Sequence, residues 1–188
     1  FFPGRQDCLS CHSVAAGGVL GVKTRQSNRD AHFPQGGVTD NQLRTWSHLG
    51  LFDAPLNTNN IPGYDKLVEV TNQTAILEHR VRSYLDANCA HCHHDGGAAS
   101  ASGLWLNWEQ QGPQHQGVCK RPPAAGPGTC DLDFDIVPGD PEHSIMICRV
   151  ASEVPDIKMP ELPTQLHDPA GLALLTEWIA AMPADNCE

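Results

Sequence analysis

The chain has 188 residues, long for one small domain and suited to two. Its composition is globular, 40% apolar against 18% charged, and no run of about 20 apolar residues exists to form a transmembrane segment. A formal net charge of −10 argues against nucleic acid or an anionic membrane surface, and suits a basic protein partner or simple solubility.

Residues 1–16 carry Cys8-Leu9-Ser10-Cys11-His12, a CxxCH motif expected at the start of a short helix. Residues 17–40, rich in Gly, Asn and Gln, read as loop. Thr39 or Asp40 can N-cap a helix running through Leu43, Trp46, Leu49 and Leu51. Residues 52–72 hold Pro55, Asn57 to Asn60 and Pro62-Gly63, a linker or wrapping arm that separates an N-terminal segment, 1–72, from a second part, 73–188. The clearest helix begins near Thr74, where Ile76, Leu77, Val81, Tyr84 and Leu85 recur at helical spacing and lead into Cys89-Ala90-His91-Cys92-His93. Residues 95–137 are Gly-, Pro- and Ala-rich and irregular. Asp140-Pro141 and Asp168-Pro169 each signal an N-cap with Pro at the first helical position. They open helices through Ile145, Met146 and Val150, and through Leu172, Leu175, Trp178, Ile179 and Met182. The fold class expected is mostly α, with long irregular loops.

Two CxxCH motifs point to covalent haem. Two thiols on one turn add across the two vinyl groups of a haem, and the following His then aims its imidazole at the iron. Zinc sites also use CxxC pairs but do not require a His after each. With ten His in 188 residues, two such coincidences have a probability of about 0.3%. The cofactor expected is therefore two covalently attached haem c groups, on Cys8, Cys11 and His12 and on Cys89, Cys92 and His93. Aromatic residues make up only 6% of the chain, and two large apolar macrocycles would repair that thin core, with Trp105 and Trp108 as packing anchors.

Each haem iron then needs a distal ligand. For the second, Met159 in Lys158-Met159-Pro160 follows His93 by 66 residues, with a Pro to hold the loop extended. Met146 and Met182 fit helix interiors and read as core. No Met lies between His12 and residue 145, so the first haem looks to His48 on the Trp46 helix. His32, His79, His115, a neighbouring subunit or an open site are the alternatives. His91 and His94 flank the second motif and are expected to meet solvent or haem propionates. Two His would give a lower potential than His with Met, so the haems would differ.

The remaining cysteines, Cys119, Cys130, Cys148 and Cys187, suggest two disulfides in an oxidising compartment. Cys119 with Cys130 and Cys148 with Cys187 is the pairing preferred. A motif seven residues from the first position, with no signal peptide, reads as a processed or trimmed chain. Haem attachment to CxxCH places the protein outside the cytoplasm, periplasmic or extracellular.

The segment from Tyr84 to Met182 resembles a class I cytochrome c domain: helix, CxxCH, variable loops, a Met-Pro loop, and a terminal helix with Leu174-Leu175-Thr176-Glu177-Trp178-Ile179. More closely, Tyr84 through His93, with Val137-Pro138-Gly139-Asp140-Pro141 and Met159-Pro160, is similar to a poorly characterised family of exported bacterial haem proteins. Those also carry an upstream CxxCH followed by Leu-Gly and Asn-Gln-Leu, as in Leu20-Gly21 and Asn41-Gln42-Leu43. The resemblance covers nearly the whole chain. It implies cytochrome c-like helices around two haems, and electron transfer without an established substrate.

The function expected is electron transfer with redox partner proteins; a multi-subunit or filamentous haem chain, with other copies of itself as partners, is one mode in which it could operate. The alternative is a di-haem peroxidase with one open-faced haem, which needs acid and base groups above a vacant iron. No such constellation is visible, so the chain reads as an electron carrier rather than an enzyme.

Overall fold

Leu77, Val81, Tyr84 and Leu85 recur at helical spacing, and they form the inner face of α4, Leu77–Asn88. The structure is a computed structural model that describes residues 2–124, 126–162 and 164–188. The chain divides into two compact units, Phe1–Leu20 with Glu69–Glu188, and Gly21–Val68. Both CxxCH motifs belong to the first.

In the first unit α4 packs on α6, Pro169–Ala180, and α6 packs on α5, Ile145–Ala151. Val81, Tyr84 and Leu85 meet Leu174, Leu175, Trp178 and Ile179, and Leu106, Ile136 and Met146 complete the core. Asp168 caps α6 through the Ala170 amide, with Pro169 at the first position, as its sequence signalled. Trp178 Nε1 donates to Glu78 Oε2 at 2.7 Å. Buried Arg80 reaches Glu177 and the Val70 carbonyl, both at 3.3 Å, so α4 and α6 are tied by polar bonds as well as burial. Gly171 abuts the Tyr84 ring, and a Cβ there would collide with it. Burial, with Cys89 and Asp168 nearby, pushes the Tyr84 hydroxyl above its usual range.

The second unit contains α2, Thr24–Ser27, and an antiparallel hairpin of β1, Asp30–Phe33, and β2, Val38–Asn41. In its register Asp30 faces Asn41 and Phe33 faces Val38. It also holds α3, Gln42–His48, and a 3₁₀ turn at Thr58–Gly63. Its centre is Leu43, Ile61 and the buried Asn28. The Asn28 amide donates to the Ile61 and Tyr64 carbonyls and accepts from Asn41 Nδ2, so the polar group is satisfied inside.

These elements overturn the expectation of a mostly α, cytochrome c-like chain. Only 33% of the structure is helical and 8% is strand, including the hairpin that lies where a loop was expected. Frequent Gly and Pro keep the helices short: α4 and α6 have 12 residues, while α1 (Arg5–Cys11), α3 and α5 have seven. Helix boundaries also move: α4 begins at Leu77 rather than near Thr74, and α3 ends at His48, short of Leu49 and Leu51. Asn41, rather than Thr39 or Asp40, caps α3 by accepting from the Leu43 and Arg44 amides. Asp140 binds the His143 amide and ring one turn ahead of α5, whose N-cap is Ser144. Among the described residues no helix is long and apolar enough to cross a membrane.

The disulfides are Cys119–Cys187 and Cys130–Cys148, not the pairing expected. The chain end explains the difference. The Asp185 amide bonds the Pro138 carbonyl and the Cys119 amide bonds the Ile136 carbonyl, so the tail and residue 119 share one neighbourhood. Cys148, on α5, then faces the turn that carries Gly128, which lies against Arg149.

Candidate functional site

Both CxxCH motifs sit at the C-terminal end of a helix. The first occupies the last turn of α1 rather than the start of a helix, and the second follows α4, with Cys89 as its C-cap. The His12 amide bonds the Cys8 carbonyl at 2.9 Å, and the His93 amide bonds the Cys89 carbonyl at 3.0 Å. Each motif is thus one closed helical turn. The two sulfurs, three residues apart, lie on one side of it, with the His at its end.

The two imidazoles are each oriented by a bond at Nδ1. His12 Nδ1 donates to the Gly18 carbonyl at 2.7 Å, which leaves Nε2 with its lone pair. His93 Nδ1 lies 3.4 Å from Ser102 Oγ, and that hydroxyl donates to the Ala99 carbonyl and accepts from the Leu104 amide. Burial pushes His93 down to about 4; a backbone hydrogen bond at Leu104 opposes this, and the charges of Arg149, His91 and Lys120 add to it. Near neutral pH His93 is therefore uncharged, the form that ligates a metal. His12, by contrast, is exposed.

Cys89, Cys92, His93 and Met159 line one cavity of about 560 Å³, to which the first motif contributes Ser10 and Cys11. The volume lies within the roughly 300–1,000 Å³ of cofactor pockets. Its wall is largely apolar, with Leu85, Leu104, Leu106, Ile145, Val150 and Leu175, and Arg149 supplies a positive charge. Burial, then the neighbouring Cys92, pushes the Cys89 thiol up to about 12. The Cys92 thiol reaches about 12 through burial and its contact with Cys11.

Met159 is held in place from α5. Its amide bonds the Arg149 carbonyl at 2.8 Å, and Arg149 Nε bonds the Ile157 carbonyl at 2.8 Å. Lys158 Nζ closes the loop on the Pro160 and Glu161 carbonyls. Met146, expected as core, is core and also lines the cavity.

The donor set fits covalent haem at the second motif: two free thiols, a neutral imidazole, a thioether and an apolar enclosure. Gly97 fits tightly beneath it, since a Cβ there would collide with the Cys92 carbonyl and the His94 ring. His94 Nε2 is buried with no protein partner, an acceptor or donor that the protein alone does not satisfy.

Other expected residues stand elsewhere. Trp105 stacks on His115 at 4.1 Å, and Trp108 packs on His79 at 5.3 Å, so neither lines the cavity. Leu104 and Leu106 face the cavity while Trp105 between them does not. His48 ends α3 and His32 lies in β1, where its Nδ1 meets Thr39 Oγ1 at 3.1 Å; both are exposed and both belong to the unit Gly21–Val68.

Sequence reading missed two features. Arg149 could have been noticed as the one basic residue on the apolar helix of Ile145, Met146 and Val150. The approach of Cys11 to Cys92, whose sulfurs are 3.7 Å apart across 81 residues of chain, has no local signal. No protein-family model matches this chain, and no curated protein or solved structure does either, so the residues of the site carry its interpretation alone.

Proposed function

We propose that this chain is an electron carrier of the c-type cytochrome kind, with one covalent haem on Cys8, Cys11 and His12 and another on Cys89, Cys92 and His93. One observation carries the reading: Cys89, Cys92, His93 and Met159 line a single, largely apolar cavity of cofactor size. When bound, each haem iron supplies a one-electron couple whose potential its axial ligands set.

The chain's own residues do the rest. His93 and His12 offer Nε2, each with Nδ1 already engaged. Met159 offers its thioether from a loop pinned to α5. The leucines and isoleucine of the wall would pack against the macrocycle, and Arg149, which lines the same cavity 3.8 Å from Glu161, would be available to a haem propionate. The sixth ligand proposed for the first haem is His48.

The two disulfides favour an exported protein, periplasmic or extracellular, over one kept in a reducing cytoplasm. With a formal charge of −10, the partners proposed are redox proteins presenting a basic face. The test is a haem count. Alkaline pyridine spectra of the exported chain should report two c-type haems per polypeptide, and a count of zero or one rejects the proposal.

A further inference from the structure

Cys11 closes α1 and Cys92 lies in the turn after α4, yet their sulfurs are 3.7 Å apart. His91 brings a ring nitrogen within 4.8 Å of both, and all three side chains are half-buried, within reach of an ion from solvent. A tetrahedral zinc with thiolates at about 2.3 Å has an S···S edge of about 3.8 Å. A disulfide would require the same sulfurs at about 2.05 Å. The two thiols share a hydrogen bond at 3.7 Å, close to that edge, so an ion could replace the bond without moving the sulfurs apart.

We propose that the haem-free chain binds one borderline-soft divalent cation of the zinc class between its two motifs, on Cys11 Sγ, Cys92 Sγ and a His91 ring nitrogen. A solvent molecule takes the fourth position. Two thiolates and an imidazole select zinc over magnesium or calcium, which prefer oxygen. Binding displaces two thiol protons to solvent and involves no electron transfer. The site is distinct from chelation by either CxxC pair, because Cys8 and Cys89 are not part of it. It goes beyond the proposed function and rests on it in one respect: Cys11 and Cys92 cannot serve the ion and a haem thioether together, so cation and haem exclude each other.

The test uses the full chain produced without haem attachment, handled anaerobically, and titrated with zinc against a chromogenic chelator. One equivalent should bind. Affinity should fall at least about tenfold, the cost of losing even an outer-shell partner, in Cys11→Ser, Cys92→Ser and His91→Asn, and hold in Cys8→Ser and Cys89→Ser. Cobalt(II) in place of zinc should give thiolate charge-transfer absorption that follows the same pattern, and far-UV circular dichroism checks that each variant keeps its fold. No uptake, a Cys11–Cys92 disulfide in place of uptake, or an equal loss in Cys8→Ser or Cys89→Ser overturns the proposal. The chain carrying two haems should take no zinc at this site; His91-dependent binding there overturns the exclusion. A haem count of two with no zinc in the haem-free chain rejects this inference alone, whereas a failed haem count rejects only the proposed function.

Discussion

Gly97 lies directly against the carbonyl of Cys92, closing the turn that follows the second CxxCH motif. The Ala99 amide bonds that same carbonyl at 3.0 Å, so moving the peptide aside would strain this bond. Gly97→Ala should therefore destabilise the chain by about 1–3 kcal/mol through overpacking against backbone. Urea unfolding of the variant beside the parent measures it, and an unchanged midpoint rules the contact out as a constraint. Gly36→Ala, where the nearest atom is the end of the Val38 side chain at 3.7 Å, should cost far less.

The four motif thiols should separate by reactivity in the haem-free chain. Cys8 is exposed, whereas burial holds the Cys89 thiol at about 12. At pH 8 Cys89 is then only about 0.01% thiolate, and thiolate is the nucleophile. Timed alkylation with iodoacetamide, read by peptide mass spectrometry, should label Cys8 first and Cys89 last. Equal rates would show that the cavity opens freely in solution.

The parts of this structure that were legible in the sequence are those with local causes. α4 and α6 follow from apolar residues at helical spacing, and the Asp168-Pro169 cap does what that pair does elsewhere. The hairpin was not legible, because four-residue strands with polar Asp30, His32, Asp40 and Asn41 carry no strong β signal; Gly36-Gly37 in its turn was the available clue. The disulfide pairing depends on where the chain end docks, and the approach of Cys11 to Cys92 depends on how α1 meets the α4 turn. Both are tertiary facts with no counterpart in spacing. Met159 was legible as Met-Pro, but Arg149 holding its loop was not.

Acid should destabilise the haem-free chain through His93. Its folded value of about 4 lies below the ordinary 6.5, so between these values the unfolded chain binds a proton that the folded chain refuses. The stability held by neutral His93 is complete above about pH 6.5 and is lost as pH falls toward 4, by about 2–3 kcal/mol. Urea unfolding at pH 7 and pH 4.5, in the parent and in His93→Gln, isolates the effect. The variant should lose less on acidification; equal losses would assign the acid sensitivity to other groups.

His48 is exposed at the end of α3, so His48→Ala should change stability by no more than about 0.5 kcal/mol. Any spectral change in the haem-loaded variant is then a ligand effect rather than unfolding. As the proposed sixth ligand of the first haem, its loss should leave one of two haems open to carbon monoxide. A carbon monoxide response identical to that of the parent excludes His48.

Met159 and Met146 both line the cavity, but they are held in different ways, and their variants should part company. Met146 is 8% exposed and packs within the core, so Met146→Ala should cost about 2–5 kcal/mol of stability and leave the second haem's ligation intact. Met159 is half-buried on a loop fixed through Arg149, so Met159→Ala should cost less stability, yet remove the weak methionine–iron charge-transfer band of a His–Met haem. It should also lower that haem's potential, because methionine ligation raises it. The decisive comparison is the oxidised spectrum of both variants. A band that survives in Met159→Ala and disappears in Met146→Ala would move the ligand from the loop to α5.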